Sequence, residues 1–257
     1  MQPHNVQLRI LTSTRSDLAK LETRERDLYL LAGHVLNEVG SLTKIFGWCL
    51  QNAGKRSSQV DRVACGMQAL IYAKLLAGKL WEAWEALGKT YFASKPSTRI
   101  VDHLPAASKD ALTDLKAYFG RKNLINTVRN SFAFHYTPGS FERHWESTSL
   151  SDDLGMVFGG TIGNNFNLTA ESIANAALLT SIGEETIEAG LQKLLDEIFD
   201  TSHKMNLFLE GVSVSAMFIM HGPIFGAKAR LEEIQVHQRY EDVSIPYFVY
   251  PASSADA

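Results

Sequence analysis

The stretch that decides the fold is Leu28–Cys49, LYLLAGHVLNEVGSLTKIFGWC. Leu28, Leu31, Val35, Glu38, Leu42, Ile45 and Cys49 recur at alternating spacings of three and four, so they fall on one side of an α-helix. This pattern predicts a helix over residues 24–52. After AGKRSS comes a second periodic run, Val63, Met67, Leu70, Lys74, Ala77, Trp81, Trp84 and Tyr91, which predicts a helix over residues 59–92. Serines precede it, where a hydroxyl can accept from the first unpaired backbone amides. Because the connection is short, the two helices are expected to be antiparallel neighbours. Each stripe holds one charged residue, Glu38 and Lys74. One reading leaves both at the stripe border with their charges in solvent. The sharper reading makes Glu38 a partly buried carboxylate turned towards a site.

Outward from these helices, ASKPSTRIVDHLPA reads as a loop, broken by Pro96 and Pro105. Ser108 is placed to cap a third helix whose apolar face begins with Leu112, Leu115 and Phe119, and GRKN is expected to kink or divide it. A fresh stripe of Ile125, Val128 and Phe132 follows, and TPGSF ends the helix because Pro138 and Gly139 do not continue it. Residues 137–168 are rich in Gly, Ser and Asn and form an insertion with room for a short hairpin. No Gly-Lys-Ser/Thr follows its glycines, so a phosphate loop is disfavoured. Thr169 is placed to cap another helix, and Ile187, Leu191, Leu194, Ile198, Met205 and Phe208 carry a further stripe towards residue 220.

These elements give an all-α fold, an up-and-down helical bundle over residues 24–220, behind a lead segment of residues 1–23. Residues 221–257 form a mixed C-terminal extension, with a short strand expected near 243–249 and a disordered end. With 257 residues and 45% hydrophobic content, the chain can build a genuine core. With a net charge of −3 the molecule as a whole does not advertise sequence-independent affinity for nucleic acid, so any such contact must be local. Cys49 and Cys65 have no second pair to complete a zinc site or a disulfide framework, which fits a reducing cytoplasm. The first residues lack the apolar core of a secretion signal. MNLFLEGVSVSAMFIMHG contains Glu210 and falls short of a spanning helix, so no membrane partner is expected.

The chemistry concentrates in VRNSFAFHY, residues 128–136. On a helix at about 100° per residue, Arg129 and His135 fall on opposite borders of the Ile125–Val128–Phe132 stripe, about 120° apart. At about 1.5 Å per residue they stand about 9 Å apart along the axis, so they do not converge on one atom within a single helix. A two-fold mate meeting on the same face would bring Arg129 of one subunit towards His135 of the other. Arginine offers a planar fork to phosphate oxygens, histidine exchanges a proton near neutral pH, and Asn130 can orient either. Together these are the parts for cutting RNA without a metal or other cofactor.

An arginine followed by a polar residue, with a histidine after a short gap in an all-helical chain, resembles the HEPN superfamily. Here these are Arg129, Asn130 and, after five intervening residues, His135. The resemblance implies a bundle of four or more helices, face-to-face homodimers and metal-independent endoribonuclease activity in toxin, antiviral or RNA-processing settings. Some members keep the fold without catalysis. It makes Arg129, Asn130 and His135 the catalytic set, with Glu38 and Tyr136 as candidates to stand behind them. A cognate inhibitor protein is a further expected partner. Only the nine-residue motif is specific, and the glycine-rich insertion and C-terminal extension have no assigned counterpart.

Three functions follow: a nuclease, a non-catalytic module gripping a nucleotide phosphate or a protein, and a helical interaction protein whose motif is packing. FERHWES places Arg143, His144 and Trp145 beyond the motif, where a cation and an aromatic ring could meet phosphate and base, although a loop packing its tryptophan is the commoner arrangement. The remaining histidines show no His-Glu-x-x-His spacing, so no metal site is expected. Glu82 and Glu85 share one face, a solvated side, and leave Trp81 and Trp84 on another, the core side.

Overall fold

The computed structural model describes residues 4–56, 58–89, 98–133, 145 and 155–250. They are mostly helical. The elements in order are strand β1 (His4–Ile10) and helices α1 (Arg15–Leu18), α2 (Thr23–Ala53), α3 (Gln59–Leu87), α4 (Thr98–Asp102), α5 (Ala106–Phe119) and α6 (Leu124–Val128). A π-helical turn, Arg129–Ala133, continues α6, and α7 (Leu168–Ser181), α8 (Ile187–His221) and strand β2 (Arg230–Val236) follow, with short 3-10 turns at Ile162–Asn164, Phe225–Lys228 and Tyr240–Asp242.

The two predicted long helices are present, and α2 matches its expected span to within a residue at each end. Regular α-helix in α3 stops at Leu87; Tyr91 lies outside the described residues. The innermost seams differ from the expected stripes. In α2 the fully buried positions include Leu28, Ala32, Val35, Val39, Phe46 and Cys49, while Leu31, Leu42 and Ile45 flank them. In α3 the inner face is largely small, with Ala64, Ala69, Ala73 and Ala77 buried beside Leu76 and Leu80. Alanine adds little to a stripe scored by bulk, yet it lets backbones approach closely, and large rings such as Trp81 and Trp84 seldom vanish completely from solvent. By length and composition α3 could also cross a membrane, a test that the core helix of a bundle passes equally.

Two caps differ from expectation. Ser108 lies inside the first turn of α5, after Pro105, and its hydroxyl donates to the Leu207 carbonyl at 2.9 Å. Thr169 lies inside α7, whose N-cap is Asn167; the Asn167 side chain accepts from the Ala170 amide at 3.0 Å, and the Thr169 hydroxyl turns to the Gly155 carbonyl. In both cases a tertiary carbonyl within reach wins the hydroxyl. The division at GRKN is real: α5 ends at Phe119 with Gly120 as its C-cap, and Asn123 Nδ2 donates to the Arg121 carbonyl at 2.9 Å. Gly183, at φ 80°, occupies the turn between α7 and α8, a conformation that costs glycine little.

The chain forms two compact units. One comprises Met1–Ser41, Lys79–Asn123 and Phe199–Asp242. Here Trp84 stacks on Phe119 with ring centroids 4.9 Å apart and Trp81 tilts against the same ring at 5.8 Å, which confirms the apolar role of that side of α3. The unit also contains the two-stranded antiparallel sheet, with Val6 opposite Ile234 and Leu8 opposite Glu232. Thus the strand of the C-terminal region is Arg230–Val236, and its partner comes from the lead segment. The period-two alternation of Val6, Leu8 and Ile10 was the sequence signal for it.

The other unit comprises Leu42–Gly78, Leu124–Ile198 and Val243–Ala257. Residues 243–249, expected as a strand, form none. Pro246 has no amide to donate, and the segment is held by side chains instead. Asn164 Oδ1 accepts from the Val249 amide at 2.9 Å, Asn164 Nδ2 donates to its carbonyl at 2.7 Å, and Tyr247 donates to the Asn165 carbonyl at 3.0 Å. Within the glycine-rich insertion, Val157 and Phe166 form a single antiparallel bridge, a fragment of the expected hairpin.

Candidate functional site

α6 is short and anchored from one side: Ile125 and Val128 are fully buried. The helix then widens into the π-turn that begins at Arg129, and Phe132 is only half-buried, so the third member of the predicted stripe does not join the other two in the core. A π-turn interrupts the regular 3.6-residue repeat and shifts the side chains that follow it, a device frequent at functional sites.

Arg129, half-buried, and Asn130, exposed, lie where the turn opens. Arg129 Nη1 donates to Asn130 Oδ1 at 2.8 Å, and Asn130 Nδ2 donates to Asn126 Oδ1 at 2.5 Å. The result is a three-residue relay that ties one edge of the guanidinium to the preceding helical turn. Arg129 and Asn130 belong to the motif that the sequence singles out, and Asn126, which it does not, is joined to them by these hydrogen bonds. The available signal was its spacing, since an amide four residues before Asn130 faces it on a helix.

His135, Tyr136, Arg143 and His144 lie outside the described residues. Trp145 is half exposed. Glu38 belongs to the unit that contains β1 and the sheet, whereas Arg129 and Asn130 belong to the other. Its carboxylate accepts from Lys79 at 2.9 Å with His34 3.7 Å away, and the Lys79 hydrogen bond holds it below the usual carboxylate range. It sits at the stripe border, within reach of solvent, as the plainer of the two sequence readings has it.

Lys74, the other charged member of a stripe, is half-buried in the unit of Arg129. Burial pulls its ammonium below the usual lysine range, and Glu171 opposes this only in part. Cys49 and Cys65 are free and buried. Burial, with Cys65 adding to it, pushes the Cys49 thiol up to about 11, far from the thiolate a nucleophile requires. Among the described residues, no group of three or more His, Cys, Asp or Glu is placed to hold a metal ion. Comparison with protein-family models, curated proteins and solved structures returns no match.

Proposed function

We propose that the chain is an HEPN-like, metal-independent endoribonuclease acting as a homodimer. The observation that carries the reading is the Arg129–Asn130–Asn126 relay, which orients a guanidinium at the start of a π-turn while the opposite side of α6 is locked into the core. The mostly helical fold is compatible with the bundle that the Arg-Asn-x4-His motif implies.

In this mechanism the ribose 2′-oxygen attacks the adjacent phosphorus and the bond to the 5′-oxygen breaks. A 2′,3′-cyclic phosphate and a 5′-hydroxyl result. Arg129 stabilises the charge that grows on the non-bridging oxygens, and His135 moves a proton at the 2′-hydroxyl or at the departing 5′-oxygen. Pairing of two copies would supply a complete arginine–histidine set in one cleft. Arg143 and His144 are candidates for RNA contact beyond the scissile phosphate, and a cognate inhibitor protein would act by covering the cleft.

The test is cleavage of a mixed, end-labelled RNA pool in EDTA by the wild type, Arg129→Ala and His135→Ala at matched fold and mass. Cyclic-phosphate ends from the wild type and loss of cutting in both variants support the nuclease. Retained RNA binding that depends on Arg129 and not on His135, without cutting, would favour the non-catalytic module instead.

A further inference from the structure

The unit of Leu42–Gly78, Leu124–Ile198 and Val243–Ala257 contains a cavity of about 470 Å³. That is a small-molecule volume, within the ~300–1,000 Å³ typical of ligand sites. α2, α3, α7 and α8 all contribute to its wall, which includes Phe46, Leu70, Leu179 and Leu191. Ser172 and Asn175, three residues apart on one side of α7, are the polar side chains among the lining residues, and none of the lining residues is charged.

Two features point to an occupant. Asn175 is only 5% exposed. Its Nδ2 donates to the sulfur of Met67, another lining residue, at 3.0 Å, but its Oδ1 has no hydrogen-bond partner among the described residues. A buried carbonyl without a donor is costly, and the amide plane turns easily about the last side-chain bond to meet a donor at the wall. The second feature is Gly66, mid-helix in α3 and on the cavity wall, where a Cβ would meet nothing within 4 Å. Glycine weakens a helix interior, and here it leaves open room.

The pocket opens to solvent, with Ile187 on its wall half exposed, and an apolar molecule entering it displaces water that finds few polar partners there. An ionic head would find no counter-charge on the wall. We propose that the cavity binds a small, predominantly apolar molecule with one neutral hydrogen-bond donor, its donor meeting Asn175 and its hydrocarbon filling the space at Gly66. Long-chain alcohols and secondary aromatic amines have this chemistry. The site is independent of the proposed nuclease function.

The experiment titrates the full chain with N-phenyl-1-naphthylamine, an apolar fluorophore with a single N–H, and then competes it with 1-decanol or n-decane. The expected result is saturable binding at one site per chain, displaced at lower concentration by the alcohol than by the alkane. Gly66→Leu should fill the space and abolish binding with the circular dichroism unchanged; Gly66→Ala, the milder filling, should weaken it. Asn175→Leu should retain the alkane and lose about tenfold in preference for the alcohol, the worth of one hydrogen bond. Absence of saturable binding by the wild type would overturn the proposal. So would unchanged binding in both Gly66 variants, or a Gly66→Leu chain that changes its oligomeric mass, since the cavity would then be a seat for a second copy.

Discussion

Gly211 of α8 passes so close to Ser108 of α5 that a methyl group on it would overlap both the Cβ and the hydroxyl of the serine. Ser108 also donates to the carbonyl of Leu207, one turn before Gly211, so the close approach and the hydrogen bond are one contact. Gly211→Ala should gain up to about 1 kcal/mol of helix propensity. It should lose about 3 kcal/mol to overpacking. A net fall of about 2 kcal/mol in urea unfolding, at constant m-value, is the expected outcome. Ser108→Ala should not rescue it, because the serine Cβ remains, whereas Ser108→Gly should rescue in part. A Gly211→Ala protein as stable as the wild type would show that the helices do not approach this closely.

Glu25 should matter more than its position near a helix end suggests. Its carboxylate is almost wholly buried, accepts the Glu22 amide at 2.9 Å just before α2 begins, and is held by two nitrogens of Arg99. Arg99→Ala would leave the buried charge with the amide and without the guanidinium. A loss of about 3 kcal/mol is expected, the low end for breaking a buried pair because the arginine is itself partly exposed. Glu25→Gln keeps the acceptor oxygen and removes the charge, so it should cost about 1 kcal/mol. Thermal unfolding of the two variants side by side decides the order, and equal losses would mean that a Glu25 carboxylate without the guanidinium costs no more than a neutral amide in its place.

Lys74 offers a pH test. Burial lowers its folded-state pKa below its ordinary value, so the unfolded chain binds this proton more tightly. The penalty is therefore fully present at neutral pH, and stability should rise as pH climbs from the folded to the unfolded pKa. Lys74→Met should raise the melting temperature at pH 7, and its advantage over the wild type should shrink as the pH climbs towards the ordinary lysine range. A lower melting temperature at pH 7 would mean that attraction to Glu171 outweighs desolvation.

The sequence made some of this legible and hid the rest for identifiable reasons. Strong periodicity fixed α2 nearly to the residue, because a stripe of alternating threes and fours needs no tertiary information. The inner seam of α3 stayed hidden since Ala64, Ala69, Ala73 and Ala77 become core only when another backbone comes near. Ser108 and Thr169 looked like caps, and each instead bonds a carbonyl distant in sequence. β1 and β2 pair His4 with Val236, a separation that no local pattern reports. Of the candidate site, Arg129 and Asn130 were readable as a motif; the contribution of Asn126 depends on side-chain geometry, and the cavity at Gly66 takes shape only where four helices come together.

Under the proposed nuclease reading, Asn130 is a positioning residue whose worth can be measured separately from that of Arg129. Removing its side chain takes away the hydrogen bond it accepts from the guanidinium at 2.8 Å, and misplacement of about 1 Å can cost up to about a hundredfold in rate. Asn130→Ala should therefore lower kcat by about tenfold to a hundredfold and leave the pH profile, set by the histidine, in place. Asn130→Asp should be worse, because its carboxylate would pair with Arg129 and compete with the phosphate. Asn126→Ala, one hydrogen bond further back, should cost less than either. Single-turnover rates at several pH values test the ranking Asn126→Ala, Asn130→Ala, Asn130→Asp, from fastest to slowest. Wild-type rates in Asn130→Ala would dismiss the relay as an orienting device, and a displaced pH optimum would place Asn130 beside the proton-transfer step instead.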